Sequence, residues 1–111
     1  MNPLETEHGR IALEFAKTLV SGDYSSAYSF VELKEKMNLE NEFNEMIEYG
    51  EGPVNHIEVM NEMDSWPTKN ENDIGWAYVA IAGEGFSEAV AVVISNINGA
   101  TKITSIEWGR P

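Results

Sequence analysis

The chain has no cysteine, which excludes disulfides and thiolate chemistry and leaves the redox compartment open. Its two histidines stand 48 positions apart, without HxxxH or HxH spacing, so no metal and no cofactor is expected. A nucleophile motif of the GxSxG kind is missing, as is a glycine-rich phosphate loop ahead of a helix. The opening MNPLETEHGR lacks a basic segment followed by an apolar one, and the longest apolar runs are strand length. Neither a signal peptide nor a membrane span is therefore expected, and a soluble cytoplasmic protein is the default reading.

Basic residues are scarce: 7 Lys and Arg face 19 Asp and Glu, for a net charge of −12, and no Lys or Arg lies between Met37 and Thr68. The imbalance is uneven. Residues 1–73 hold 16 acids against 5 bases, whereas 74–111 hold 3 against 2. Such a field repels phosphate backbones and anionic membrane, so neither nucleic acid nor membrane is expected as a partner. It steers a basic protein partner inward, unless it is only a solvated surface that aids solubility.

What is present suffices for one domain over 1–111, since 42% apolar residues build a core without metal or disulfide staples. The last third, Ile74 to Arg110, organises the rest. Its runs IGWAYVAIA, FSEAVAVVISNI and TKITSIEW are broken by Gly83-Glu84-Gly85 and Asn98-Gly99. Short breaks of this kind, Asn-Gly above all, predict an antiparallel meander. Pairing Ala82 with Ser87 and Ile97 with Ala100 puts Ala77, Val79, Ile81, Val90, Val92, Ile94 and Ile103 on one face, with Glu88, Ser105 and Glu107 near one end. The other face then carries Trp76, Tyr78, Ala89, Ala91, Val93, Thr104, Ile106 and Trp108. A one-residue slip of the first hairpin would exchange the faces of its first strand.

Upstream, Asn2-Pro3-Leu4-Glu5 reads as a helix start, and Leu4, His8, Ile11, Phe15 and Leu19 share one stripe until Ser21-Gly22. His8 is then either a hydrogen-bonded histidine in an apolar face or a polar group lining a pocket. A short second helix runs from Asp23 to Val31 with Tyr24, Ala27, Tyr28 and Val31 on one side; its tyrosines are rim-of-core residues or present hydroxyls to a ligand. Asn38 caps a third helix, with Leu39, Phe43, Met46 and Ile47 inward, Asn41, Asn44, Glu45 and Glu48 outward, and Gly50 as its end. The run VNHIEVMNEM alternates as a half-buried strand, with Ile57, Val59 and Met63 opposite His56, Glu58 and Glu62. Asp64 to Asp73 is the one long polar loop.

Three helices followed by four strands predict an α+β domain, helices packed on a curved antiparallel sheet. The first helix ending in Leu19-Val20-Ser21-Gly22-Asp23-Tyr24-Ser25-Ser26-Ala27-Tyr28, a third helix, and a meander closing on Ile106-Glu107-Trp108 together resemble the nuclear-transport-factor-2-like (NTF2-like) superfamily, a cystatin-like α+β cone. That resemblance covers essentially the whole chain. It implies an isomerase, a dehydratase, a non-catalytic binding module or a bacterial toxin-immunity protein. Ketosteroid-isomerase-like members use a tyrosine and acids inside the cone. Here the first helix has neither Tyr nor Asp, and the interior strand face is nearly all aliphatic.

Two functions are weighed. The first is a non-catalytic acidic protein whose helices 1–3 and first strand meet a basic partner, in its most concrete form an immunity protein neutralising a toxin; Glu45 and Glu48 are partner-binding candidates. The second is a small isomerase or dehydratase acting on an apolar molecule in the cone. Glu88 and Glu107, as diagonal neighbours at its mouth, would supply the base and His8 or Tyr28 the donor, with Tyr24 lining the pocket. Alternatively both carboxylates are solvated, or Glu107 pairs with Arg110 or Lys102. His56 and Glu58 form a second constellation. Finally, a face bearing Trp76, Tyr78, Ile106 and Trp108 needs cover that three short helices do not give, which predicts a homodimer, sheet against sheet, or a folded-over loop carrying Trp66.

Overall fold

A computed structural model describes residues 6–32, 38–47, 54–63, 65, 69–83 and 86–109. Three helices, α1 (Glu7–Ser21), α2 (Tyr24–Ser29) and α3 (Leu39–Ile47), precede four strands, β1 (His56–Met63), β2 (Asp73–Gly83), β3 (Phe86–Ile97) and β4 (Ala100–Gly109). The strands form one antiparallel meander in the order β1-β2-β3-β4.

Capping chemistry sets the helix limits. Thr6 is extended at φ −92° and ψ 151°, and its Oγ1 accepts the Gly9 N–H at 3.0 Å, so α1 begins at Glu7 rather than at Asn2. The expected Asn2-Pro3 start and Leu4 lie outside the described residues. At the other end Gly22, at φ 79°, takes the left-handed turn that lets the Asp23 amide reach Thr18 O at 2.9 Å. Asp23 then caps α2 through the Ser26 N–H at 3.2 Å, and the Ser26 hydroxyl and amide hold its carboxyl below the usual carboxylate range. α2 stops short of Val31 because Phe30 to Glu32 run beside β4: Ile103 N donates to Phe30 O at 2.7 Å and Glu32 N to Ile103 O at 2.8 Å. The edge strand thus has its hydrogen bonds met at that point. Asn38 caps α3 through the Asn41 N–H at 3.0 Å, as its side chain predicts; Glu48 and Gly50 lie outside the described residues.

Both predicted hairpin registers hold. Ala82 pairs with Ser87 and Ile97 with Ala100, across a turn in which Asn98 (φ 52°) and Gly99 (φ 87°) are both left-handed. On the helix-facing side, Phe15, Leu19, Leu39, Phe43, Val79, Ile81, Val90, Val92, Ile94 and Ile103 are buried in one cluster. α1 covers β1 and β2, and α3 packs on β4.

Strict alternation fails in β4. Ile94 pairs with Ile103, but Val93 pairs with Ser105, so Thr104 is an extra residue and the face reverses after it. Ile106 and Trp108, expected on the outer face, therefore point at the helices and pack on the core, while Ser105 and Glu107 turn outward and are exposed. The energetics favour this. Partly burying an isoleucine and a tryptophan contributes on the order of 1–2 kcal/mol each, against roughly 1 kcal/mol for a ladder hydrogen bond lost at the bulge. Trp108 is fixed there by its indole N–H donating to Glu42 Oε2 at 3.1 Å and by the Phe43 ring at 6.5 Å.

A second bulge, at Met60, reverses β1. Val59 pairs with Val79, but Asn61 pairs with Tyr78 and Met63 with Trp76, so Met63 joins the outer face instead of the side of Ile57 and Val59. A third, at Ile74, lets Asp73 pair outward with Ser95 while Gly75 faces inward opposite Ile94. There the ring of His8 lies directly on Gly75: a Cβ at that position would stand 2.5 Å from His8 Cδ2 and Nδ1, and closer still to Cγ. Glycine is required by that approach.

Candidate functional site

The side chains expected to form an acid–base pocket are not brought together. Glu88 faces inward opposite Ile81 and is buried, whereas Glu107, opposite Ala91, is exposed on the other face. The bulge at Thr104 separates them. His8, at 7% exposure, is a packing element between α1 and Gly75. The Tyr28 hydroxyl accepts the Leu39 N–H at 2.9 Å, satisfying one of the amides left over at the start of α3, so it ties two helices together. Tyr24 is half-buried, and its phenol is pushed up by that burial and by the nearby Glu40 carboxylate. Both tyrosines serve the helix layer.

The other side of the sheet has a different character. Register places four rows across it. Asn61, Tyr78, Ala91 and Glu107 form one; Met63, Trp76, Val93 and Ser105 lie below; Glu58, Ala80 and Ala89 lie above; and His56, Ala82 and Ser87 follow. Trp76 and Tyr78, two apart on β2, stack with centroids 5.9 Å apart and planes 21° from parallel. Both are half-buried. Beyond them the floor is alanine, whose methyls lie low in the pleat, with Ala80 and Ala89 buried.

Carboxylates flank this aromatic step. Glu58 is the diagonal neighbour of Tyr78, a relation that sets the two residues roughly 7–8 Å apart, and Glu107 is two strands away in the Tyr78 row. Both are exposed. Glu58 Oε2 is 2.9 Å from His56 Nε2. The four strands contain one lysine and no arginine; that lysine, Lys102, donates to Ser29 O at 2.7 Å and so is turned toward α2. Met60 and Met63 are exposed on the β1 side. At one end Ser95 donates to Asp73 Oδ1 at 2.6 Å and lies 2.7 Å from the Thr104 hydroxyl, while Asp73 Oδ2 accepts the Asn70 N–H at 2.9 Å. This polar knot anchors the loop after Lys69 and gives the Thr104 bulge its side-chain partner.

Of the expected partner-binding residues, Trp76 and Tyr78 face outward, Glu45 is exposed on α3, Ile106 and Trp108 are inside, and Glu48 lies outside the described residues. Trp66 does as well. That Glu107 shares the face of Glu58 and the aromatic stack was not readable from alternation, because it depends on the bulge at Thr104; the signal for that bulge was the 103, 106, 108 spacing of apolar residues. Among the described residues there is no group of three or more His, Asp and Glu able to hold a metal, and no helix is long and apolar enough to cross a membrane. Comparison with protein-family models, with curated proteins and with solved structures finds no match to this chain.

Proposed function

We propose that the protein is a non-catalytic binding module that receives a basic protein on the face of its sheet opposite the helices. The observation that carries this reading is the contrast between the two faces. One is filled by apolar side chains from the helices; the other sets Trp76 and Tyr78 among exposed carboxylates, with its one strand lysine turned away. A net charge of −12 steers a cationic partner toward it. The exposed acids of α3, Glu40 and Glu45, add to the same field. An immunity-type role, neutralising a basic toxin, is the most specific form of this reading. It rests on the likeness of three helices and a meander to the NTF2-like cone.

A second copy of the chain is the less favoured occupant of the face. Ile106 and Trp108 have left it for the core, and bringing two chains of net charge −12 together adds repulsion. The reading is tested by binding of the natural partner at low and at high salt, to wild type and to Glu58→Lys/Glu107→Lys. Affinity is expected to fall about tenfold or more in the variant, and to weaken with salt in wild type. Binding that ignores both salt and charge reversal would remove charge complementarity as its basis.

A further inference from the structure

We propose that the Trp76–Tyr78 stack is a seat for an arginine side chain, carried on an extended basic segment of the partner that crosses the outer face between Glu58 and Glu107. This rests on the docking reading above and names what the partner presents. A guanidinium is planar and weakly hydrated, so it lies flat on an aromatic ring and keeps its edge donors free for carboxylates; an ammonium is compact and strongly hydrated and gains less from the same ring. Trp76 and Tyr78 offer such a plane, since rings 21° from parallel and 5.9 Å apart make an offset step rather than two unrelated surfaces.

The flanking groups suit the same ligand. Glu58, diagonal to Tyr78, and Glu107, in its row, stand on strands β1 and β4, and three strand spacings of about 4.8 Å separate them. An extended segment covers that span in roughly four to five residues. A central arginine would then lie on the rings while a neighbouring cation meets each carboxylate. The alanines at 80, 82, 89 and 91 keep the floor low, so that a backbone approaches closely on the side of the rings away from Val93. Charge complementarity selects a basic occupant, and the aromatic step selects arginine over lysine.

The test titrates the full isotope-labelled chain, at low salt, with the acetylated and amidated peptide Gly-Arg-Gly-Arg-Gly-Arg-Gly and with its lysine and citrulline counterparts, following the Trp76 and Tyr78 ring signals. The arginine peptide is expected to bind about fivefold more tightly than the lysine peptide and about tenfold more tightly than citrulline, which keeps the plane and loses the charge. Trp76→Ala or Tyr78→Ala should abolish the preference for arginine over lysine. Glu58→Gln/Glu107→Gln should weaken both cationic peptides alike. Equal binding of arginine and lysine to the wild-type protein overturns the seat, and this arm needs no variant to fold. If that equal binding is still lost in Glu58→Gln/Glu107→Gln, the arginine seat falls while the acidic docking face stands. No binding of the arginine peptide, or a dimer by light scattering that hides the Trp76 ring, also overturns it.

Discussion

Trp108→Ala is expected to lower stability by about 2 kcal/mol, below what truncating a fully buried tryptophan costs because Trp108 is half-buried, whereas Glu107→Ala next to it changes stability by less than about 0.5 kcal/mol. Chemical denaturation of the two variants at one temperature reads the difference. The contrast follows from the bulge at Thr104, which turns Trp108 toward Phe43 and the Glu42 carboxylate and leaves Glu107 in water. Removing the indole leaves Phe43 without its ring partner and takes the donor from Glu42, so α3 loses its hold on β4. Were the strand to alternate without a bulge, Trp108 would lie on the outer face and its loss would cost little. Equal, small effects at both positions would therefore place the tryptophan outside.

Gly75→Ala is the second large effect, expected at about 1–3 kcal/mol of destabilisation through overpacking. An alanine in the middle of a strand is ordinarily the better residue, because glycine loses more backbone freedom on folding. The sign reverses here because the added methyl meets the His8 ring at 2.5 Å or less, and that ring is wedged between α1 and the sheet with 7% of its surface exposed. Either α1 lifts from β2 or the imidazole leaves its place. His8→Ala makes room for the methyl, so the double variant His8→Ala/Gly75→Ala should be more stable than the sum of the single changes by about 1–2 kcal/mol. Additive effects in that cycle would show that the ring and the glycine do not share the space.

Much of the layout was legible beforehand for local reasons. Asn98-Gly99 supplies two left-handed residues, Gly22 a left-handed helix end, and Asp23 and Asn38 side-chain caps, each specified by a few neighbouring residues. The first hairpin kept its register because Ala77 and Val79 pair with Val92 and Val90 and so extend one apolar face, with Ile81 opposite the buried Glu88. Bulges were harder to read. Period two carries no marker for an inserted residue, and the clue in β4 was that Ile103, Ile106 and Trp108 are spaced by three and then by two. β1 gave no such clue, since Met63 fits either side of a strand.

The candidate site was less legible than the fold, and the reason is geometric. A pairing of Glu88 with Glu107 assumed a single parity along β4; one extra residue sent the two carboxylates to opposite faces. The same residue dismantled the four-member aromatic and aliphatic patch proposed for a dimer, leaving Trp76 and Tyr78 with Val93 and the exposed methionines of β1. Tyr28, one helical turn from Tyr24, read either as a rim-of-core residue or as a hydroxyl presented to a ligand. Its partner, the Leu39 amide, is 11 positions away and becomes visible only when α2 meets α3. Once the bulges are in place, the acidic character read from composition acquires a location beside an aromatic stack.

The most direct measurement of the docking claim places a photo-cross-linking amino acid at Glu107, on the outer face, and in a separate protein at Lys17, exposed on the outer side of α1. Irradiation in the presence of the natural partner at low salt is expected to give a covalent adduct with a basic protein from position 107 and none from position 17, with the position-107 adduct fading as salt rises. An adduct from position 17 and none from position 107 would contradict the account.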